Sequence, residues 1–435
     1  MKKVTVYLSA GFIMGWFLCA NAMAGDKMSL KFFDNSLKIG GDFYLRTESR
    51  SDYYTQDGRT VSDHGLSSRQ RLSVDYSPQK GVGIMLTLMN TTDWNDPHPS
   101  LFPYAYDHDI DIQQAYIHLE KPLNLPVSFW AGRREVAYLN QRLIGHSYGW
   151  TNKPINFDGA GVAVEGKAAK LDLFYLNKVL RDLDENASFD DDWFGDPADL
   201  FGTWLTFKGL PLVQQIDTYL LINNDDNHDD SYTTGIRIYG KKGQLDYDTN
   251  LSLQYGGKHI AGKRLDRRAR AFYMDVGYMF DIPQRPRIAV QYNYASGDGD
   301  GSDGSYRSFD QLYGCVHGKY GLMDFFSWRN MHDLYFYTDA YPFKNLKMLC
   351  GVHSFWLDKT KDGWYNCYNK LQRRDPTGNA RSYVGSEVDI LLSYTFLTNF
   401  NAKLFYGHFF DGSYIKDTGK SADADYTYSQ LEYRF

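Results

Sequence analysis

Beyond its first nineteen residues the chain has no run of about 18 consecutive apolar residues, which excludes a helical membrane protein. It lacks the basic excess of a nucleic-acid surface: the formal net charge is −6. It has only four cysteines, with no CxxC, no HExxH and no paired histidine ligand spacing, so a thiolate or imidazole metal centre has no ligand set to build on. It has no GxSxG elbow, and no Ser-His-Asp set can be singled out, so nothing points to an enzyme.

What is present is aromatic. Tyr (35), Phe (27) and Trp (9) make up 16% of the chain, yet mean hydropathy is −0.50. That combination is odd for a soluble globule and natural for a barrel with interfacial girdles. The N-terminus gives an address. Lys2 and Lys3 precede an apolar stretch from Val4 to Cys19, and Ala22-Met23-Ala24 forms an A-x-A site. Residues 1–24 therefore read as a secretory signal peptide and 25–435 as one mature domain. Leu18 before Cys19 is not the small residue that a lipidation signal wants. Without Lys2 and Lys3 the charge falls from −6 to −8.

The last residues show the organising pattern. Leu431, Tyr433 and Phe435 fall on one face of a period-two strand, and Tyr428, Gln430, Glu432 and Arg434 on the other. Similar alternating segments recur from 37–49 to 425–435, eighteen in all, with no composition break to divide them. Tight connections such as Pro78-Gln79-Lys80 and Gly166-Lys167 alternate with long ones such as Asn140–Phe157, Ser296–Asn330 and Asp358–Tyr383. The fold class expected is all-β: an 18-stranded antiparallel transmembrane β-barrel of outer-membrane type, both termini in the periplasm.

Parity assigns the lumen. Leu37, Ile39, Phe43, Leu45, Leu72, Val74 and Tyr76 take the lipid side. Lys38, Asp42, Tyr44, Arg46, Glu48, Arg69, Arg71 and Asp75 take the inside, as do Arg237, Asp246, Asp248, Arg287, Gln291, Glu387, Asp389 and Arg434. Charged residues facing lipid would cost about 2–4 kcal/mol near the midplane, so the lumen is expected to be polar and rich in arginine.

Collinear motifs add a resemblance. They are Gly132-Arg133-Arg134-Glu135, Gln141-Arg142-Leu143-Ile144-Gly145, Asn156-Phe157-Asp158-Gly159, Ser308-Phe309-Asp310-Gln311-Leu312-Tyr313, His317-Gly318-Lys319-Tyr320-Gly321 and Gly385-Ser386-Glu387-Val388-Asp389. In this order and spacing, from about Phe33 to Phe435, the chain resembles the alginate export family of outer-membrane barrels. The resemblance implies a monomeric channel of the Gram-negative outer membrane, set among lipid and lipopolysaccharide. It would pass an anionic polysaccharide, an alginate-like polyuronate, outward through an arginine-lined pore narrowed by inward-folded loops. Periplasmic secretion-complex proteins are the partners it suggests. Arg46, Arg71, Arg133 and Arg142 are expected to supply the cationic lining, with Asp158 and Glu387 holding arginines in place. Arg134 stands where the family usually has glutamine. The alternative is a diffusion porin, general or selective for anions or sugars, for small-solute uptake.

Three further expectations are open to structure. Cys350 and Cys367 flank one loop and could pair in an oxidising compartment. The aspartates of Ser296–Gly304 could hold a structural calcium ion, although their spacing is not that of an EF-hand and a solvated loop is the plainer reading. Trp94, Trp150 and Trp193, in long loops, could stack on sugar rings or simply pack.

Overall fold

The computed structural model describes residues 28–32, 35–54, 60–95, 108–151, 154–179, 198–225, 229–260, 262–314 and 317–435. The proposed signal peptide, Trp193 and Cys315 lie outside them. Eighteen strands form the wall. The first six are β1 (Asn35–Tyr54), β2 (Thr60–Gln79), β3 (Val82–Asp93), β4 (His108–Glu120), β5 (Val127–Arg134) and β6 (Phe157–Glu165). Next come β7 (Ala169–Lys178), β8 (Ala198–Leu210), β9 (Val213–Asp225), β10 (Asp230–Lys242), β11 (Leu245–Ile260) and β12 (Lys263–Met279). The last are β13 (Arg287–Ala295), β14 (Met331–Phe343), β15 (Leu346–Trp356), β16 (Tyr383–Phe396), β17 (Phe400–Asp411) and β18 (Ala424–Arg434). All eighteen segments read from the alternation are strands. A short strand at Met28–Phe32, which the alternation did not flag, pairs back onto β1.

Each strand is antiparallel to the next, and β18 pairs with β1 from Asp42↔Arg434 to Ser51↔Asp425, so the sheet closes without a free edge. The terminal Phe435 continues that seam. Its N–H donates to the Gly41 carbonyl at 3.1 Å and its own carbonyl accepts from Gly41 N–H at 3.0 Å. A Cβ on Gly41 would lie 2.8 Å from the Phe435 ring and 2.2 Å from the Arg71 carbonyl, so glycine is required there.

Exposed apolar side chains, among them Leu72, Ile117, Phe129, Leu251, Phe336 and Ile390, cover the outer face. With every strand paired and this belt outward, the wall meets the two demands of a lipid bilayer. The tight turns lie at one end and the long loops at the other. β1 and β2 run 20 residues each, so their strands extend well past the alternating segments at either end of the hairpin.

The main departure from the expected polar lumen lies along β6–β9. Inward positions there are Phe157, Phe174, Leu176, Leu200, Trp204, Tyr219 and Leu221, all buried. They pack against segments that fold into the barrel: Leu139, Leu143 and Ile144 from the β5–β6 loop, and Phe309 and Tyr313 from the β13–β14 loop. The long-loop half of the barrel thus has its own apolar core inside the wall.

Two loop expectations fail. No disulfide joins Cys350 and Cys367. Cys350 pairs with Ile390, whose exposed side chain is on the outer face, whereas Cys367 is buried in the β15–β16 loop inside, so the wall separates them. The Ser296–Gly304 aspartates are used locally. Asp300 caps Ser302 N–H at 3.0 Å, and Asp303 caps Ser305 N–H at 2.9 Å and pairs with Arg307 at 2.7 Å. No cluster of three metal-competent groups occurs among the described residues.

Candidate functional site: a basic wall beneath the inward loops

β18, β1 and β2 run side by side, and their inward residues mix basic and acidic side chains. The register places Asp42 opposite both Arg71 and Arg434, Tyr44 opposite Arg69, and Arg46 opposite Gln430, which in turn faces Lys403 of β17. Five cations, Arg46, Arg69, Arg71, Lys403 and Arg434, therefore share one patch of wall. Arg69 donates to Asp42 Oδ1 at 2.9 Å through Nη2. Arg71 lies 3.2 Å from Glu135 Oε1 and 3.8 Å from Asp42 Oδ2. Arg46 pairs with Glu48, and Arg434 with Glu432 at 2.8 Å.

The β5–β6 loop rests on this patch. Arg46 Nη1 donates to the Trp150 carbonyl at 2.7 Å, and Arg69 Nη1 to the Tyr148 and Thr151 carbonyls at 3.1 and 2.9 Å. Tyr148 OH donates to Asp42 Oδ2 at 2.9 Å, and its ring lies under Arg69 and Arg71 at 4.7 and 4.4 Å. Trp150 stacks on His317 at 3.5 Å, which ties this loop to the β13–β14 loop. A second tie is a parallel bridge between Ile144 and Tyr313, with Tyr313 N–H donating to the Leu143 carbonyl at 3.0 Å.

Of the six residues picked from sequence, Arg46 and Arg71 stand in this wall. Arg142 and Glu387 are inside the barrel in other roles. Arg142 is buried in the β5–β6 loop, its guanidinium 4.2 Å from the Tyr273 ring, 5.1 Å from Tyr320 and 5.9 Å from Trp328. Its Nε and Nη1 have no hydrogen-bond partner among the described residues. Glu387 holds a loop rather than an arginine: its Oε1 accepts Met323 N–H at 2.9 Å, while Asp389 accepts Leu322 N–H at 3.2 Å.

Arg133 and Asp158 are not in the lumen. Arg133 pairs across strands with Ala115 and Asp158, on the face that carries Phe129, Ala131, Ala160 and Val162, and so points outward near the long-loop rim. The two form a bidentate ion pair at 2.9 and 3.0 Å. The neighbouring Arg134 faces inward instead, over Tyr116 and Trp130 at 5.0 and 5.3 Å. Three cations of the basic wall are not among the six residues picked from sequence. Arg69 and Arg434 take the inward side by parity, and Lys403 alternates with the outward Leu404 and Tyr406. Strand parity is the signal that finds all three.

The wall across the barrel has the opposite balance. Arg237 and Arg287 are shared by four aspartates. Asp248 and Asp217 lie 2.7 and 3.8 Å from Arg237, and Asp246 and Asp275 lie 2.6 and 2.5 Å from Arg287. The tryptophans divide as well. Trp150 is inside, while the exposed Trp94 donates from Nε1 to Ser68 Oγ at 3.0 Å on the outer face, where a girdle would sit.

A closed barrel with an apolar outer belt and charged walls facing across a loop-filled interior is an outer-membrane β-barrel channel. The chain belongs to the alginate export family, whose model matches residues 35–429. No curated protein matches it. Among solved structures, Pseudomonas aeruginosa OpdQ is similar in fold, with 13% identity, a TM-score of 0.60, and 92% of this chain and 97% of that one covered. P. aeruginosa OccK2 (OpdF) in complex with glucuronate is similar at 10% identity and TM-score 0.59, covering 91% and 98%. P. aeruginosa OpdK with vanillate is similar at 13% and 0.59, with the same coverage.

Proposed function

We propose that, after loss of residues 1–24, the chain works as a monomeric outer-membrane channel exporting an anionic polysaccharide, an alginate-like polyuronate, rather than as an enzyme. The observation that carries this reading is the gathering of Arg46, Arg69, Arg71, Lys403 and Arg434 on one wall beneath the β5–β6 loop. Guanidinium stays charged and grips carboxylates in pairs, whereas a moving polymer needs several weak contacts rather than one tight site. Arginines already sharing carboxylates and aromatic faces offer contacts of that kind.

A second reading, uptake of small carboxylates, is favoured by the glucuronate and vanillate found with barrels of similar fold. Planar-bilayer recording at low salt separates the two, because screening is least there. Export predicts that long oligouronates block the current far better, per uronate unit, than the free monosaccharide. Equal block by the monomer would favour uptake, and absence of block by either would remove the uronate claim.

A further inference from the structure

The outer face of β12 carries charge where a membrane wall normally has none. Its register with β11 pairs Leu251↔Phe272, Leu253↔Arg270, Tyr255↔Arg268, Gly257↔Asp266 and His259↔Arg264. Because Leu251, Leu253 and Tyr255 are exposed on the outer face, Arg264, Arg268 and Arg270 also point outward, in a column on one strand. All three are exposed; Arg268 has 68% of its side chain free. Below them Phe272, Met274 and Tyr278 continue the apolar belt toward the tight-turn end.

Depth follows from strand rise. At about 3.3 Å per residue, Arg270 lies about 7 Å beyond Phe272 along the strand, and Arg268 as far again. Tyr255 stands directly opposite Arg268, and the Arg270 guanidinium lies 6.0 Å from the Tyr294 ring. Both arginines are therefore level with the aromatic girdle at the long-loop end, which in such barrels faces the outer leaflet.

The local balance remains positive. Asp266 sits between Arg264 and Arg268 at 3.5 and 3.4 Å, and Asp230 is exposed on the adjoining hairpin. Arg270 has no ion pair among the described residues, and Lys263 is exposed at the hairpin end. Elsewhere on the outward rim at this end Asp158 and Asp199 face out on either side of the neutral Asn177, and Arg133 there is already clamped by Asp158.

We infer that Arg268 and Arg270, with Arg264 above them, form a docking site for the phosphorylated headgroup of an outer-leaflet glycolipid, the lipid A part of lipopolysaccharide. Such a lipid places phosphate at girdle depth with acyl chains below it. The column offers bidentate N–H donors above an apolar strip, in the same order. The site is independent of whatever the lumen carries.

The test uses the full-length protein in detergent, with diphosphoryl lipid A and lipid A stripped of both phosphates as probes. Folding is checked by heat-modifiable gel mobility. Arg268→Gln/Arg270→Gln is expected to bind the diphosphoryl lipid at least tenfold more weakly than wild type, the gap narrowing at high salt. Wild type is expected to lose a similar factor on the stripped lipid, while Arg133→Gln changes nothing. Should the double variant fail the mobility check, the single R268Q and R270Q variants carry the same comparison. Equal binding of the two lipids by wild type, or equal affinity of wild type and the β12 variants, overturns the site. So does full competition by inorganic phosphate at matched concentration, which would make it a free-anion site.

Discussion

Arg46 grips Trp150 twice: Nη1 donates to its carbonyl at 2.7 Å, and the guanidinium lies 4.0 Å from its ring. One residue is on the barrel wall and the other on a loop, so this pair fixes how far the β5–β6 loop reaches across the lumen. A cation over an indole in a desolvated site contributes about 2 kcal/mol, enough to hold a loop in place.

Trp150→Ala should therefore loosen the loop without altering the wall. The ring also stacks on His317, so its loss frees the β13–β14 loop on one side. Single-channel conductance in planar bilayers is expected to rise about twofold or more, with noisier open levels. Conductance unchanged from wild type would mean that the backbone contact alone sets the loop.

Glu387 gives a second, separable latch. Its buried carboxylate accepts Met323 N–H at 2.9 Å, and a side chain on Gly321 would collide with it at 2.5 Å, so the loop fits closely over it. Glu387→Ala strands a buried N–H and should cost about 1–3 kcal/mol. The temperature of the gel-mobility transition should fall, and the loop should become protease-sensitive in the folded barrel. Glu387→Gln keeps an acceptor oxygen and should retain most of the stability. Equal loss in both variants would point to the charge rather than the N–H contact.

The wall was readable because a period of two is a local property. Arg46, Arg71 and Glu387 followed from it, as did the closing strand. Arg133 and Asp158 follow from motif instead; counting on from Phe129 and Ala131 puts Arg133 outside, and counting back from Val352 puts Cys350 on the lipid side. The apolar inward faces of β6–β9 broke the polar-lumen rule because loops return to cover them. Which wall a returning loop meets depends on contacts between residues such as Leu143 and Tyr313, 170 positions apart, and no local period encodes that. Comparable long separations hide the cage of Tyr273, Tyr320 and Trp328 around Arg142.

Charge placement makes a sharp prediction about ion selectivity. Arg69→Gln/Arg71→Gln removes two inward cations from the wall under the loop, whereas Arg133→Gln removes one from the outer face. Reversal potentials in a potassium chloride gradient should shift toward cation preference in the first variant and stay at the wild-type value in the second. A shift of similar size with Arg133→Gln would contradict the outward assignment, and no shift in either would take the basic wall out of the ion path.

His317 should make the loop packing sensitive to acid. Its Nδ1 lies 2.9 Å from Asp324 Oδ1 and its ring is stacked on Trp150 with planes 3° apart. Burial pushes its pKa below the ordinary value, assisted by Arg46 and Lys403 and opposed by Asp324. An unfolded histidine titrates near about 6.5. Between the lowered folded value and that figure the unfolded chain binds more protons, so stability rises with pH across this window. The contribution is present above about 6.5 and is lost as pH falls from there toward the folded value. Urea midpoints at pH 7.5 and 5.0 should drop more for wild type than for His317→Gln, which cannot take up the proton. Equal drops in the two proteins would assign the acid sensitivity to other groups and leave the stacked ring a purely packing role.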